Sequence, residues 1–236
     1  EAMLATDAIH ETDPNFKLIY GCEAYFVDDM IPAVYGAAQM PLSGSFVVFD
    51  TETTGLDANT ERLTEIGAVY VENGKINEEK KFCTFVNPGK PIPQKVVELT
   101  GINDSMVADA PTPAEAIRQF KEFCGDNILV AHNANSFDML FIRKAGDKAG
   151  VDFSNTYIDT LPMAQALFPG LHNYKLDTIN KHLEIQPFNH HRAVDDAMAL
   201  ARIFEVMLSD LKEKDMTTVE AINTCLLYTS PSPRDS

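Results

Sequence analysis

Apolar positions along the chain follow two rhythms. Short unbroken or alternating runs bounded by turn residues predict strands at Phe46–Phe49, in "EIGAVYVENGKI" and in "KKFCTFVNP". Asn73-Gly74, between the second and third of these, is a hairpin signal, and short connections make the three strands antiparallel neighbours. "NILVAHNA" and the start of "TYIDTLPMAQALF" predict two more buried strands. Helical spacing dominates "TPAEAIRQFKEFC", where Thr112 suits the N-cap, Pro113 the first turn and Glu115 the third position of a capping box. Its Ile117, Phe120, Phe123 and Cys124 share one face. "SFDMLFIRKAG" predicts a helix closed by Gly150, and the end of "TYIDTLPMAQALF" and "YKLDTINKHLEI" predict two further helices. The last, "HHRAVDDAMALARIFEVMLSDL", carries Ala193, Ala197, Leu200, Phe204 and Met207 at helical intervals. The order β-β-β-α-β-α-β-α-α-α predicts an α/β fold: a mixed sheet with helices on its faces.

The ends depart from this pattern. In residues 1–45, "FKLIYGCEAYFVDD" reads as a short strand from Lys17 to Ile19, a glycine turn and a second apolar piece; "GAAQMPLSGS" reads as a linker. The final "CLLYTSPSPRDS" fits no element and resembles translated sequencing-adapter sequence, so residues 225–236 are set apart from the fold. The chain opens at Glu1 rather than Met, as a fragment would.

Bulk properties narrow the function classes. With 236 residues the chain can bury a sizeable core. No apolar stretch is long enough to span a bilayer, which points away from membranes. Cys22, Cys83, Cys124 and Cys225 are scattered without a CxxC pair, which indicates neither a zinc knuckle nor a disulfide framework and suits a reducing cytoplasm. A net charge of −16 argues against broad adhesion to nucleic acid. It leaves open an enzyme whose acidic site binds cations and whose hold on nucleic acid is local.

Four carboxylates stand where the chain leaves predicted buried structure. Asp50 and Glu52 end the first strand, and alternation puts them on one face with Thr51 on the other. Asp138 opens the helix after "LVAHNANSF", and Asp196 lies in the first turns of the last helix. Carboxylates from separate elements around one sheet end form a cage for hard cations such as Mg²⁺. Two such ions, roughly 3.5–4 Å apart, can clamp the attacking and leaving oxygens of a phosphoryl displacement. His191, just before the last helix, titrates near neutrality and suits a general base.

"FDTETTG", "HNANSFD" and "HRAVDDA" resemble the three motifs of the DEDDh 3′–5′ exonucleases, a superfamily with a ribonuclease H-like fold. The resemblance covers about residues 45–211 and extends to "LTEIGAV", "VNPGKPIP" and "ELTGIND". It implies that Asp50, Glu52, Asp138 and Asp196 bind two divalent ions, Mg²⁺ or Mn²⁺, and that His191 is the general base. It also implies that Thr53, Gly55 and Leu56 contact the 3′-terminal nucleotide, with Thr100 and Gly101 lining the same pocket. The second motif departs from the family's His-Asn-Ala-x-Phe-Asp by one residue: Asn135 and Ser136 fill a gap that usually holds one. The extra residue either turns Asp138 out of position or bulges in the loop.

The flanks resemble parts of a PHP (polymerase and histidinol phosphatase) domain, with Glu23 similar to one of its metal ligands. An exonuclease inserted in a PHP domain is the arrangement of PolC-type bacterial replicative polymerases. The implied organisation is a PHP fragment and linker at 1–45, the exonuclease at 46–212, and the start of the return to the PHP domain at 213–224. The implied function is proofreading removal of nucleotides from a frayed or single-stranded DNA 3′ end. The implied partners are the rest of the polymerase alpha subunit and replisome components such as the sliding clamp, and the implied location is the bacterial cytoplasm. An RNA-directed DEDDh exonuclease and an inactive nucleic-acid-binding module remain alternatives. Among other polar residues, His132 is expected to be hydrogen-bonded at a strand end rather than a ligand, Asp159 to cap a helix, and His190 to lie outside the metal cage.

Overall fold

The computed structural model describes residues 31–36, 39–185 and 192–229, without the side chains of 225–229. The predicted strand at Lys17–Ile19, Glu23, His190 and His191 lie outside the described residues. The strands are β1 (Val34–Tyr35), β2 (Ser45–Thr53), β3 (Leu63–Glu72), β4 (Lys75–Phe85), β5 (Ile128–Ala131) and β6 (Tyr157–Asp159). The helices are α1 (Gln94–Thr100), α2 (Asp104–Val107), α3 (Pro113–Cys124), α4 (Asp138–Ala149), α5 (Thr160–Leu167), α6 (Leu176–His182), α7 (Ala193–Glu213) and α8 (Glu220–Thr229).

One sheet with the order β1-β6-β5-β2-β3-β4 organises the chain. β2, β3 and β4 pair antiparallel, β5 joins β2 in parallel and β6 joins β5 in parallel. This is the expected ribonuclease H-like combination of three antiparallel strands with parallel ones. Asn73 and Gly74 turn β3 into β4 with φ of 55° and 74°; such a pair of positive values defines the tight hairpin turn that matches strand twist.

Strand alternation divides the core in two. Phe46 and Val48 face a cluster built with Leu200, Phe204 and Met207 of α7, whereas Val47 and Phe49 face Ile117 and Phe120 of α3 and Ile142 of α4. At about 25 cal/mol per Å² of apolar surface buried, these two layers are the main drive for folding. The helix α3 carries its full capping box, with Thr112 Oγ1 accepting from the Glu115 N–H and the Glu115 carboxylate accepting from the Thr112 N–H. Its Phe123 is only partly buried, where it packs edge-on against Tyr70.

Three local expectations change. The segment read as a linker is paired: the Leu42 N–H donates to the Thr217 carbonyl and the Val219 N–H to the Met40 carbonyl, both at 2.9 Å. Asn223 closes the same junction, its side-chain oxygen accepting from the N–H groups of Ala33 and Val34. The chain segments that precede β2 and follow α7 are therefore stitched to each other. Helix α8 runs to Thr229, so the backbone of 225–229 does belong to an element. The short α1, α2 and β1 were not anticipated. No helix among the described residues is long and apolar enough to cross a membrane.

Candidate active site

The face on which each side chain of β2 lies decides the site. Asp50 and Glu52 share the face of Phe46 and Val48, under α7, and Asp196 approaches from the first turns of that helix. Ligand oxygens of Asp50, Glu52 and Asp196 all lie within 4.8 Å of one another. Thr51 points to the opposite face, where α4 begins. There its hydroxyl donates to Asp138 Oδ1 at 2.7 Å and its backbone N–H to the same oxygen at 3.1 Å. Asp138 thus stands outside the close trio while sharing its electrostatics. Three of the four expected carboxylates converge within one cation's reach, and the fourth is moored by Thr51.

The extra residue of the second motif is taken up before α4. The Met139 N–H donates to the Ala134 carbonyl five residues back, at 3.0 Å, a turn one residue wider than an α-helical one. Asn135 and Ser136 are exposed in this bulge, and the Asn135 N–H is tied to Asp159 Oδ2 at 3.1 Å. Asp138 still enters as the first residue of α4 and is buried.

Burial and crowding raise the pKa values of Asp50, Glu52 and Asp138. Asp50 is pushed well above the usual carboxylate range, first by burial and then by the charges of Asp138, Asp196, Glu52 and Glu65. Glu52 is pushed up to about 8 by burial and by Asp196, Glu65 and Asp138, against the opposing pull of Arg192. Asp138 is pushed up to about 7 by burial, although the Thr51 hydroxyl and N–H favour its charged form. Such a cluster ionises when a cation joins it. An all-oxygen donor set of this span fits a hard divalent ion.

Glu65, the cross-strand neighbour of Glu52, is completely buried. It receives the Ala193 N–H at 3.0 Å and a forked contact from Arg192, with Nη2 at 2.8 Å and Nε at 3.2 Å. Gly67, opposite Asp50, lies so close to α7 that an added Cβ would be 2.1 Å from the Val194 nitrogen. Neither residue was singled out in the sequence. The signals were present: Glu65 is the lone charge within the apolar "LTEIGAVYV", and Gly67 interrupts a strand interior, a common mark of close backbone approach.

The remaining expected residues fall in two places. Thr53 Oγ1 donates to the Gly55 carbonyl at 2.6 Å, closing the turn after β2, and Leu56 projects from that turn with 87% of its surface exposed. Thr100 and Gly101 serve the end of α1. The Thr100 hydroxyl donates to the Val96 carbonyl and accepts the Ile102 N–H, and Gly101 takes φ of 73° as the helix cap. His132 sits at the end of β5 with Nδ1 against the Thr160 hydroxyl at 2.9 Å and Nε2 donating to the Tyr174 carbonyl at 2.7 Å. Burial lowers its basicity, and both ring nitrogens are engaged away from the acids. Asp159 caps α5 through the Leu161 N–H.

Comparison with known proteins gives this geometry a context. The Exonuclease family (RNase_T) matches residues 47–204. The chain is similar to the DNA polymerase III PolC-type of Caldanaerobacter subterraneus subsp. tengcongensis, at 48% identity over 211 residues. It is 43% identical over 212 residues to the DNA polymerase III PolC-type of Bacillus subtilis. These alignments cover 89% of the chain but only 15% and 14% of the relatives, so the chain spans about a seventh of their length. Among solved structures, exonuclease X in complex with 5′ overhanging duplex DNA matches with a TM-score of 0.59 and 25% identity, covering 77% of this chain and 99% of that one. E. coli exonuclease I in complex with a dA16 oligonucleotide matches with a TM-score of 0.63 and 18% identity, covering 72% of this chain and 43% of that one, a likeness of fold. Since the family match takes in well over half of its residues, the chain belongs to the exonuclease family.

Proposed function

We propose that the chain is the proofreading 3′–5′ exonuclease unit of a PolC-like bacterial polymerase, removing nucleoside 5′-monophosphates from a DNA 3′ end. The observation that carries this reading is the convergence of Asp50, Glu52 and Asp196 within 4.8 Å, beside a buried Asp138. Asp50, Glu52, Asp138 and Asp196 would hold two ions, Mg²⁺ or Mn²⁺, which when bound supply positive charge to the reacting phosphate. His191 would accept the proton of the attacking water, whose oxygen bonds to phosphorus as the bond to the preceding 3′-oxygen breaks. Leu56 offers an apolar surface to the terminal base, and the Thr53–Gly55 turn holds it there. The similarity to PolC-type polymerases supports a DNA substrate, and so does the DNA held by exonuclease X. The stitched flanks, Met40 with Val219 and Asn223 with Val34, suit a unit inserted in a host domain.

Incubation of the chain with Mg²⁺ and matched 3′-labelled DNA and RNA single strands tests the reading. Labelled deoxynucleoside 5′-monophosphate should be released, Asp50→Ala should abolish release, and His191→Ala should reduce it severely while retaining metal binding. A wild-type chain as inert as Asp50→Ala in both Mg²⁺ and Mn²⁺ would leave only a binding role, and preferential digestion of RNA would replace the DNA assignment.

A further inference from the structure

Asp196 joins the trio from the start of α7, which is pressed onto β3. Glu65 lies completely buried beneath the first turn of the helix. Its Oε2 accepts the Ala193 N–H at 3.0 Å, one of the donors that a helix start leaves without an internal partner. Its other oxygen accepts from Arg192 Nη2 at 2.8 Å. The Arg192 guanidinium also lies over the ring of Phe85, 5.1 Å from its centre, and Phe85 is the β4 neighbour of Glu65 in the sheet. Gly67, two residues along the same face of β3, leaves room for the helix backbone to descend. A carboxylate at a helix start is also favoured by the helix dipole.

From this arrangement we infer that Glu65, acting through Arg192 and the Ala193 N–H, is a positioning residue that sets the place of Asp196 relative to Asp50 and Glu52. Glu65 is not part of the trio. Its carboxylate is turned to the helix and the guanidinium, and its effect on a cation is transmitted by the first turn of α7. Arg192 and Ala193 are four and three residues before Asp196, so a lateral shift of their anchor moves the Asp196 carboxylate with it. The same anchor fixes the residue that follows His191. The inference rests on the divalent-cation reading given above.

Mn²⁺ binding to the 236-residue chain, followed by the electron-paramagnetic-resonance signal of free Mn²⁺, tests it without requiring turnover. Two variants separate geometry from charge. Glu65→Gln keeps an oxygen for the Ala193 N–H and loses the charged fork. Arg192→Lys conserves every charge and removes only the planar double donor. Glu65→Gln should weaken Mn²⁺ binding about 10- to 100-fold, the range found when the partners of metal ligands are removed. Arg192→Lys should weaken it in the same direction by a smaller factor. On a DNA oligonucleotide both should lower kcat with little change in KM. Wild-type affinity in both folded variants would overturn the positioning role alone. So would an Arg192→Lys variant that binds as wild type while Glu65→Gln does not, since the loss would then be one of charge. A wild-type chain that takes up no Mn²⁺ would overturn the cation reading itself, and the positioning role with it.

Discussion

Thr51 presents both its hydroxyl and its backbone N–H to one oxygen of Asp138, 87 residues further along the chain, at 2.7 and 3.1 Å. The bond crosses to the face of β2 opposite the one holding Asp50 and Glu52. It places a fourth carboxylate beside the trio from the far side of the strand. Asp138 is also the largest charged contributor to the raised pKa of Asp50. The four carboxylates expected to meet a cation are therefore split by the pleat of a single strand, three on one side and one moored on the other.

Replacing Thr51 by valine tests that mooring. The substitution keeps the shape and the backbone N–H but removes the 2.7 Å bond. Stability should fall by about 1 kcal/mol, the net worth of a typical hydrogen bond. A donor to the charged form holds a pKa down, so its loss should raise that of Asp138 further above about 7. If turnover needs Asp138 ionised, the acid limb of the pH–rate profile moves to higher pH. Profiles of the two proteins at saturating Mg²⁺ make the comparison.

The metal-free protein should lose stability as pH rises. Glu52 is pushed up to about 8 and Asp138 to about 7, against roughly 4 for such groups in an unfolded chain. Between about pH 4 and 8 the native state therefore binds more protons than the unfolded one. The stabilisation from these groups is complete below about pH 4 and disappears as pH climbs through their folded values. Thermal unfolding in a chelating buffer should show a falling Tm over this window, and Mg²⁺ should flatten the slope.

Asp50→Asn should separate stability from activity. The variant replaces a carboxyl whose ionised form burial and four neighbouring acids disfavour in the fold by a group that never ionises, so the metal-free Tm should rise. Nucleotide release in Mg²⁺ should fall at least about 100-fold, the scale on which lost metal-site groups are felt. Calorimetry and a product assay on one preparation check both halves.

Gly67→Ala should damage the junction of sheet and helix. The new Cβ would lie 2.1 Å from the Val194 nitrogen and 2.2 Å from the Ala193 carbonyl carbon, so the backbone of α7 must move. Overpacking of this kind costs about 1–3 kcal/mol or more. Denaturant unfolding should show that loss, and Mn²⁺ affinity of the folded variant should drop as Asp196 is displaced.

Deleting Ser136 should be tolerated. The residue is exposed in the wide turn before α4, while Asp138 is held independently by Thr51. A cost below about 1 kcal/mol is expected for such a surface change. Retained release of nucleotide would show that the added residue is absorbed in the loop; loss of activity in a folded protein would show that it sets the place of Asp138.

The strands around Phe46–Phe49, the Asn73-Gly74 hairpin, the Thr112 capping box and five of the eleven buried positions of α7 were legible in the amino acids because each is a local device. Periodicity, capping chemistry and turn dihedrals operate over a few residues. The placement of Asp50 and Glu52 on one face with Thr51 on the other follows from the same two-residue repeat. What folding alone decided is which element each face meets. The two-residue β1 exists only through its pairing with β6, more than a hundred residues away, and carries too short a pattern to announce itself. The Glu65 anchor of Ala193 spans 128 positions, and the Thr51 hold on Asp138 spans 87. Side chains so distant along the polymer become neighbours only after two apolar layers have closed on the sheet. A single chain records the residue types at such contacts, but their pairing is a property of the packed molecule.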